Sequence, residues 1–368
     1  MEKPRLIWVT TLLFSLTFLA MVTLVPWYGF THGFELREWI VAGLILMFNG
    51  TAITAGYHRL WSHKTYEAHW SLRLWFAIWG AMAIQNSIMN WTSGHRRHHA
   101  FVDDHHKDPY SASRGFWFSH IGWMLRDYDP KASDFSNIKD LQRDPIVVWQ
   151  QKYYVPLVLL MNLGVPTLAG FLMGDVIAMI LLGGVLRLVL SHHFTFFINS
   201  LAHIWGKRPY TDKNTARDNG ILALVTWGEG YHNYHHIFQY DYRNGIRWWH
   251  FDPTKWLIFG FSKIGLTGKL RRVSDYRIEK ARIDMQYKYA SQRLTCQIAL
   301  QKLEEQYEVV SSTWHDWNKL RQKWVEHKAE ELKQNWENSE LHKQYEEMKS
   351  SMQEQQKRWQ LARAGLLT

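Results

Sequence analysis

Along the chain, apolar residues gather into four long runs, separated by stretches crowded with polar and aromatic side chains. Leu6 to Trp27 is 22 residues without a charge, enough helix at about 1.5 Å per residue to cross a hydrocarbon core of about 30 Å. Lys3 and Arg5 precede it. The run is long and lacks a small-residue cleavage site, which favours a retained helix over a cleaved signal peptide. Trp39 to Ala55 predicts a second span. Val155 to Met173 and Val176 to Ile198, joined by Gly174-Asp175, predict a second pair, ionisable only at Arg187 and His192-His193. The pattern therefore predicts an all-α integral membrane protein with four transmembrane helices in two hairpins, over about 6–27, 39–55, 155–173 and 176–198. Four spans return both termini to one side, which the basic N-terminus marks as cytoplasmic. Residues 56–154 and 199–275 then form a cytosolic helical cap. Trp70 to Trp91, Trp-rich but interrupted by Arg73, Gln85 and Asn86, predicts one helix lying at the membrane interface or packed on the cap.

Beyond about Tyr276 the pattern changes. No proline occurs, glycine appears only at Gly365, and Val310, Trp314, Trp317, Trp324, Leu332 and Trp336 recur at helical spacings among Lys, Glu and Gln. Residues 276–368 thus predict a charged amphipathic helical tail following a membrane domain over 1–275. The formal charge of +10 accompanies the apolar runs, so it marks a basic membrane protein and not a nucleic-acid binder. A single cysteine, Cys296, excludes an intramolecular disulfide framework and any cysteine-based metal cluster. No Gly-rich phosphate loop or dinucleotide fingerprint opens any segment, so the chain is not expected to carry its own flavin or nicotinamide domain.

With cysteine set aside, the 20 histidines become the candidate chemistry. His58 and His63 lie just beyond the second span, five residues apart; on a regular α-helix they would sit about 140° apart and serve neighbouring metals. His95-Arg-Arg-His98-His99 and His232-Asn-Tyr-His235-His236 repeat one H-x-x-H-H arrangement, and Asn199 and His203 share a helical face at the end of the fourth span. One such group arises readily by chance. Two identical groups and a third pair at a membrane exit, all on one side, point to metal. Nine imidazoles exceed what one ion accepts, so two ions with four or five ligands each are expected. Imidazole suits Zn, Cu, Fe and Ni alike. Neutral ligands without cysteine or a carboxylate cage favour a redox-active pair, and two iron ions are the expectation. Asp104 and Asp108 are expected mainly to solubilise their loop, and His120, His192 and His193 to orient ligands.

These boxes resemble those of the membrane-bound acyl-CoA desaturases of the stearoyl-CoA Δ9 type. The resemblance covers roughly residues 5–270 and extends to Gly56-Tyr57-His58-Arg59-Leu60-Trp61-Ser62-His63, Phe118-Ser119-His120-Ile121-Gly122-Trp123, Arg208-Pro209-Tyr210 and Gly228-Glu229-Gly230-Tyr231-His232. It implies four membrane helices under a cytosolic cap that holds a di-iron centre. The implied ligands are His58, His63, His95, His98, His99, His203, His232, His235 and His236, with Asn199 contacting iron through water. It further implies substrate contacts at Gln85, Asn86, Trp91 and Thr195, and a chain-length gauge at Leu46 and Gly50. The pattern departs at Ser93-Gly94 and Asp127-Tyr128, where animal members carry charged pairs for the CoA head group. Acyl-carrier protein is thus an alternative to acyl-CoA.

The implied reaction removes two hydrogens from an acyl thioester to give a cis double bond, Δ9 in position by the resemblance, while dioxygen is reduced to water. Such C–H bonds have no acidity for a side-chain base to exploit. Two electrons must come from a separate ferredoxin, cytochrome or flavoprotein reductase, since no H-P-G-G haem motif is present. A di-iron alkane or lipid hydroxylase shares the metal chemistry and is the alternative. Membrane lipid is the expected surroundings, the bacterial inner membrane the expected location, and nucleic acid is not an expected partner.

Overall fold

The computed structural model describes residues 4–128, 134–331 and 340–367. Lys3, Leu332 and Trp336 lie outside them. Two compact units emerge, one over 1–208 and 213–272, the other over 209–212 and 273–368.

Among the described residues, the first unit holds four helices long and apolar enough to cross a membrane: α1 (Trp8–Thr31), α2 (Leu36–Ser62), α6 (Tyr154–Met173) and α7 (Val176–Ile204). Glu35 and Glu38 close a capping box at the start of α2. At the turn between α6 and α7, Gly174 takes a left-handed conformation (φ 84°) and the Asp175 carboxylate caps α7 through the Ala178 N–H, 2.8 Å away. The Tyr28 hydroxyl on α1 donates to that same carboxylate at 2.7 Å. Only 6% of the apolar window of α1 is buried, against 56% for α2 and α7, so α2 and α7 form the inner pair. Both inner helices outrun the apolar stretches that mark them, to Ser62 and Ile204 instead of about 55 and 198. Their 27 and 29 residues exceed the roughly 20 needed for a span, and the surplus turns carry histidines. Arg187, buried within α7, donates to the carbonyls of Gly183 and Met82 and to the Asn162 side chain at 2.7–3.0 Å, which satisfies a charge that lipid would not.

The end of α2, Ala52–Ser62, is π-helical. The His63 N–H reaches the carbonyl of His58, five residues back, at 3.1 Å. Such widened turns cluster at functional sites. The stretch 70–91, predicted as one helix, is two: α3 (Trp70–Ala81) and α4 (Ile88–Phe101). Ile84 and Asn86 between them have positive φ (51° and 73°), and the Ser87 hydroxyl caps α4. This break redirects the chain so that α4 presents its histidines to α2. Helices α2 and α3 pack closely at Gly80, where an added Cβ would lie 2.2 Å from the Tyr57 ring. Short helices α5 (Pro145–Lys152), α8 (Gly220–Val225), α9 (His232–Ile237) and α10 (Pro253–Ser262) complete the unit. Its core joins Ile53, Tyr57 and Trp61 of α2 to Phe76, Ile88, Ile138 and Ile258. A two-residue antiparallel ladder pairs Glu67 with Gly268 and Ala68 with Thr267.

The second unit comprises α11 (Asp275–Ser291), α12 (Gln297–Glu331) and α13 (Glu340–Leu367). Val310, Trp314 and Trp317 of the amphipathic stripe are buried with Ile283, Leu303, Met352 and Trp359, and Trp324 stacks on Tyr345 at 5.0 Å. The stripe therefore closes a helical core within the unit. Lys288 and Arg282 tie residues 209–212 to it through Asp212 and Tyr210.

Candidate metal centre

The π-helical end of α2, α4, the end of α7 and α9 bring all nine predicted histidines together. They form two groups: His58, His63, His95, His99 and His235 in one, His98, His203, His232 and His236 in the other. Within each, one donor atom per residue lies within 4.8 Å of all the others. His58 and His63 thus fall in the same group, contrary to the expectation from a regular α-helix. The i→i+5 closure at the end of α2 stacks residues five apart on one face, where α-helical winding would have turned them away. Helix α4 divides its histidines, His95 and His99 to one group and His98 to the other, and α9 does the same with His235 against His232 and His236.

The rings meet Nε2 to Nε2. His58 and His235 approach to 3.0 Å, His63 and His95 to 2.8 Å, His99 and His235 to 3.0 Å, His98 and His236 to 3.3 Å, and His232 and His236 to 3.0 Å. Several rings have their other nitrogen engaged. Nδ1 of His98 donates to buried Asp108 at 2.9 Å, that of His203 faces the Thr215 hydroxyl at 2.8 Å, and that of His58 lies 3.0 Å from Glu229. A proton held on Nδ1 leaves Nε2 as a lone pair. Lone pairs converging at about 3 Å repel unless a cation stands among them, and a metal–nitrogen bond of about 2.1 Å would set donors at right angles at just that separation. Nε2 of His203 is buried without a hydrogen-bond partner. The donor set therefore fits a pair of metal ions.

Burial, reinforced by the neighbouring rings, holds the imidazoles of His63, His95, His99, His232, His235 and His236 well below their ordinary range. They are neutral at pH 7 and ready to bind. Sequence reasoning missed the residues that orient them. Asp108 is buried under His98 and also accepts from the N–H of Asp103, so it holds a ligand and does not solubilise a loop. Asp104, by contrast, caps the N–H groups of His106 and Lys107. Glu229 accepts from Arg59 at 3.0 Å and Asn244 at 2.6 Å besides touching His58. Burial favours its neutral form, but His58 and Arg59 outweigh that and hold the carboxyl below its ordinary range. Asp252 accepts from Arg59 as well, at 3.1 Å. The only signal of this network in the sequence is an Arg beside the first histidine and a Glu three residues before His232.

Asn199 lies one turn before His203, half-buried. Gln85 donates to the Thr195 hydroxyl at 2.9 Å, and its own amide oxygen is buried without a partner. Trp91 stacks on His95 at 4.8 Å and meets His58 edge-on at 6.1 Å. Leu46 is half-buried on α2, and Gly50 one turn further on is closed by Trp227, whose ring would lie 2.3 Å from an added Cβ. Asn86 is exposed at the left-handed turn before α4. His120 and His193 pair with each other at 3.1 Å, and His120 also engages the Ser200 hydroxyl at 3.0 Å. The departing residue Ser93 is buried, donating to the Asp134 carbonyl and Asn137.

Comparison with known proteins agrees with this architecture. The sequence profile described as fatty acid desaturase matches residues 37–264. The chain is 42% identical over 269 residues to acyl-CoA desaturase 1 of Saccharomyces cerevisiae, covering 72% of this chain and 52% of that protein. It is 36% identical over 267 residues to stearoyl-CoA desaturase 4 of Mus musculus, covering 71% and 75%. It is 35% identical over 277 residues to sn-2 palmitoyl-lipid 9-desaturase of Nostoc sp., covering 73% and 92%. The chain spans about half the length of the yeast protein. Because the profile takes in most of the membrane unit with every histidine group inside it, and the likeness extends to fungal, mammalian and cyanobacterial proteins alike, the chain belongs to the fatty acid desaturase family.

Proposed function

We propose that the protein introduces a cis double bond, at the Δ9 position, into a saturated acyl thioester, with acyl-CoA as substrate and dioxygen as oxidant. The observation that carries this reading is the convergence of nine histidine donors in two adjacent groups beside Trp91. His58, His63, His95, His99 and His235 would hold one iron, and His98, His203, His232 and His236 the other, with Asn199 acting through water. Bound iron supplies the oxidising power for unactivated methylenes that no side-chain base can provide.

The chain's own part is positional. Asp108, Thr215 and Glu229 fix the ring orientations of His98, His203 and His58. Gln85, Thr195 and Trp91 line the acyl path next to the donors, Asn86 stands at its entrance, and Leu46 and Gly50 set how far the methyl end runs. Displacement of the chain by one carbon changes which hydrogens face the metals. Thr195 is held toward Gln85 by the hydrogen bond between them.

Acyl-CoA is favoured over acyl-carrier protein by the names of the yeast and mouse relatives, and desaturation over hydroxylation by the names of all three. Electrons come from a separate ferredoxin, cytochrome or flavoprotein reductase. Residues 1–275 form the desaturase domain and 276–368 an appended helical tail. The site and both termini face the cytoplasm, and a bacterial inner membrane is compatible with the cyanobacterial relative. Expression in a cell lacking its own desaturase, with dimethyl disulfide mapping of the fatty acids, tests the reading. A new double bond is expected; a product gaining one oxygen would support the hydroxylase instead.

A further inference from the structure

One surface of the first unit is left unused by the metal centre. Between residues 245 and 265 the chain exposes Trp248 (80%), Trp249, Trp256, Phe259 and Ile264, with Arg247 and Lys263 among them. The inner side of the same segment is tightly built. Thr254, Lys255 and Ile258 of α10 are buried. The Lys255 ammonium donates to the carbonyls of Gly245, Arg247 and His250, which straps the Trp-bearing loop onto the helix. The Trp256 indole N–H donates to the Trp248 carbonyl at 3.3 Å. The aromatic rings are therefore held outward by a fixed scaffold.

The depth of this face follows from its attachment. The Thr254 hydroxyl meets the Thr54 hydroxyl on α2 at 2.7 Å and donates to the Trp227 carbonyl at 3.0 Å. Thr54 lies at the end of the apolar run of α2, one turn before His58, so α10 begins at the level where α2 leaves the hydrocarbon. Tryptophan and cations together are what a headgroup boundary accommodates. The cations also pack on the rings, Arg247 over Trp249 at 5.2 Å and Lys263 over Phe259 at 4.7 Å, an arrangement that leaves their charges free to reach phosphate. An apolar patch of this kind left in water marks an interaction surface.

We propose that residues 245–265 form a monotopic lipid-binding face. It seats this part of the cap on the leaflet from which α2 emerges, with the Trp and Phe rings at the headgroup–acyl boundary and Arg247 and Lys263 against lipid phosphates. This anchorage is additional to the four spans and independent of the reaction catalysed.

Nitroxide labels test it in the full-length chain carrying Cys296→Ser. Labels go at Trp249→Cys and Phe259→Cys, with Gln142→Cys as reference, a site next to the loop whose Asp140 bridges Lys64 beyond the end of α2. In phosphatidylcholine–phosphatidylglycerol vesicles, the ratio of collisions with oxygen to collisions with a water-soluble nickel chelate is expected to be severalfold higher at 249 and 259 than at 142. Equal ratios at all three sites would overturn the proposal and leave the face to a protein partner. The unlabelled protein supplies a second measurement that no substitution can compromise. A diazirine phospholipid in nanodiscs is expected to crosslink peptides from 247–264, and crosslinking confined to the four spans would equally refute the lipid assignment.

Discussion

Glu229→Ala removes a carboxylate that accepts from Arg59 at 3.0 Å and from Asn244 at 2.6 Å and lies in ion-pair range of Nδ1 of His58, 3.0 Å away. All lie in the buried interior, so water cannot replace the carboxylate. Each orphaned buried donor costs about 1–3 kcal/mol, and breaking a buried ion pair costs about 3–5 kcal/mol. Arg59 keeps Asp252 and the Tyr242 carbonyl, so its charge is not stranded and the expected loss is about 3 kcal/mol, toward the lower end of that range. At about 2–4 °C per kcal/mol for a unit of this size, unfolding should move down by roughly 6–12 °C. Glu229→Gln separates stability from metal binding. Its amide oxygen still accepts from Arg59, but its NH2 group meets Asn244 or His58 donor to donor. The stability loss is therefore smaller, while the ring of His58 loses its orienting carboxylate and metal affinity drops about 10–100-fold. Thermal unfolding and metal per chain, measured against a graded chelator, read the two effects separately. If Glu229→Ala kept its full metal and its unfolding temperature, the idea that this carboxylate organises the five-histidine group would be wrong.

His203→Ala cuts the four-donor group to three and weakens its hold on metal, so metal per chain measured by elemental analysis against a graded chelator should fall from about two toward about one; unchanged stoichiometry and chelator resistance would count against the assignment. In the metal-stripped protein, buried histidines such as His63, His95 and His99 have values well below 6.5, so they are neutral in both folded and unfolded chains above that pH. Below it the unfolded chain takes up protons that the folded one refuses, and stability should decline as pH falls from about 6.5; an unfolding midpoint that stayed flat from about pH 7.5 to about pH 5.5 would contradict this. Gly50→Ala places a methyl 2.3 Å from the Trp227 ring, and overpacking of about 1–3 kcal/mol is expected. Adding Trp227→Leu should restore much of the unfolding temperature, and an undisturbed single mutant would show that the contact yields freely.

Spans and histidine boxes were legible because each is written in composition along a continuous stretch. Hydropathy located α2 and α7 but stopped them at about 55 and 198, since helical winding continues through Tyr57-His58-Arg59 after the apolar run ends. The widened winding at Ala52–Ser62 left no trace in spacing, which is why His58 and His63 were expected to part. The break at Ile84 and Asn86 was hidden because Ile84, a β-branched residue, gives no sign of a left-handed turn, and Asn86, which tolerates one, stands without a neighbouring glycine or proline in an apolar, Trp-rich run. Asp108 and Glu229 act across 10 and 171 residues of sequence on His98 and His58, a relation that only the folded chain creates. Helices α12 and α13 read as one long amphipathic tail because no Pro or Gly punctuates the region before Gly365.

Helices α4 and α9 each lend donors to both histidine groups. Filling either group must therefore freeze two rigid bodies that the other group also needs. The first ion bears the ordering entropy for both, and the second binds to a partner already organised. Uptake should accordingly be cooperative, with singly loaded chains scarce during titration and release by chelator proceeding in pairs.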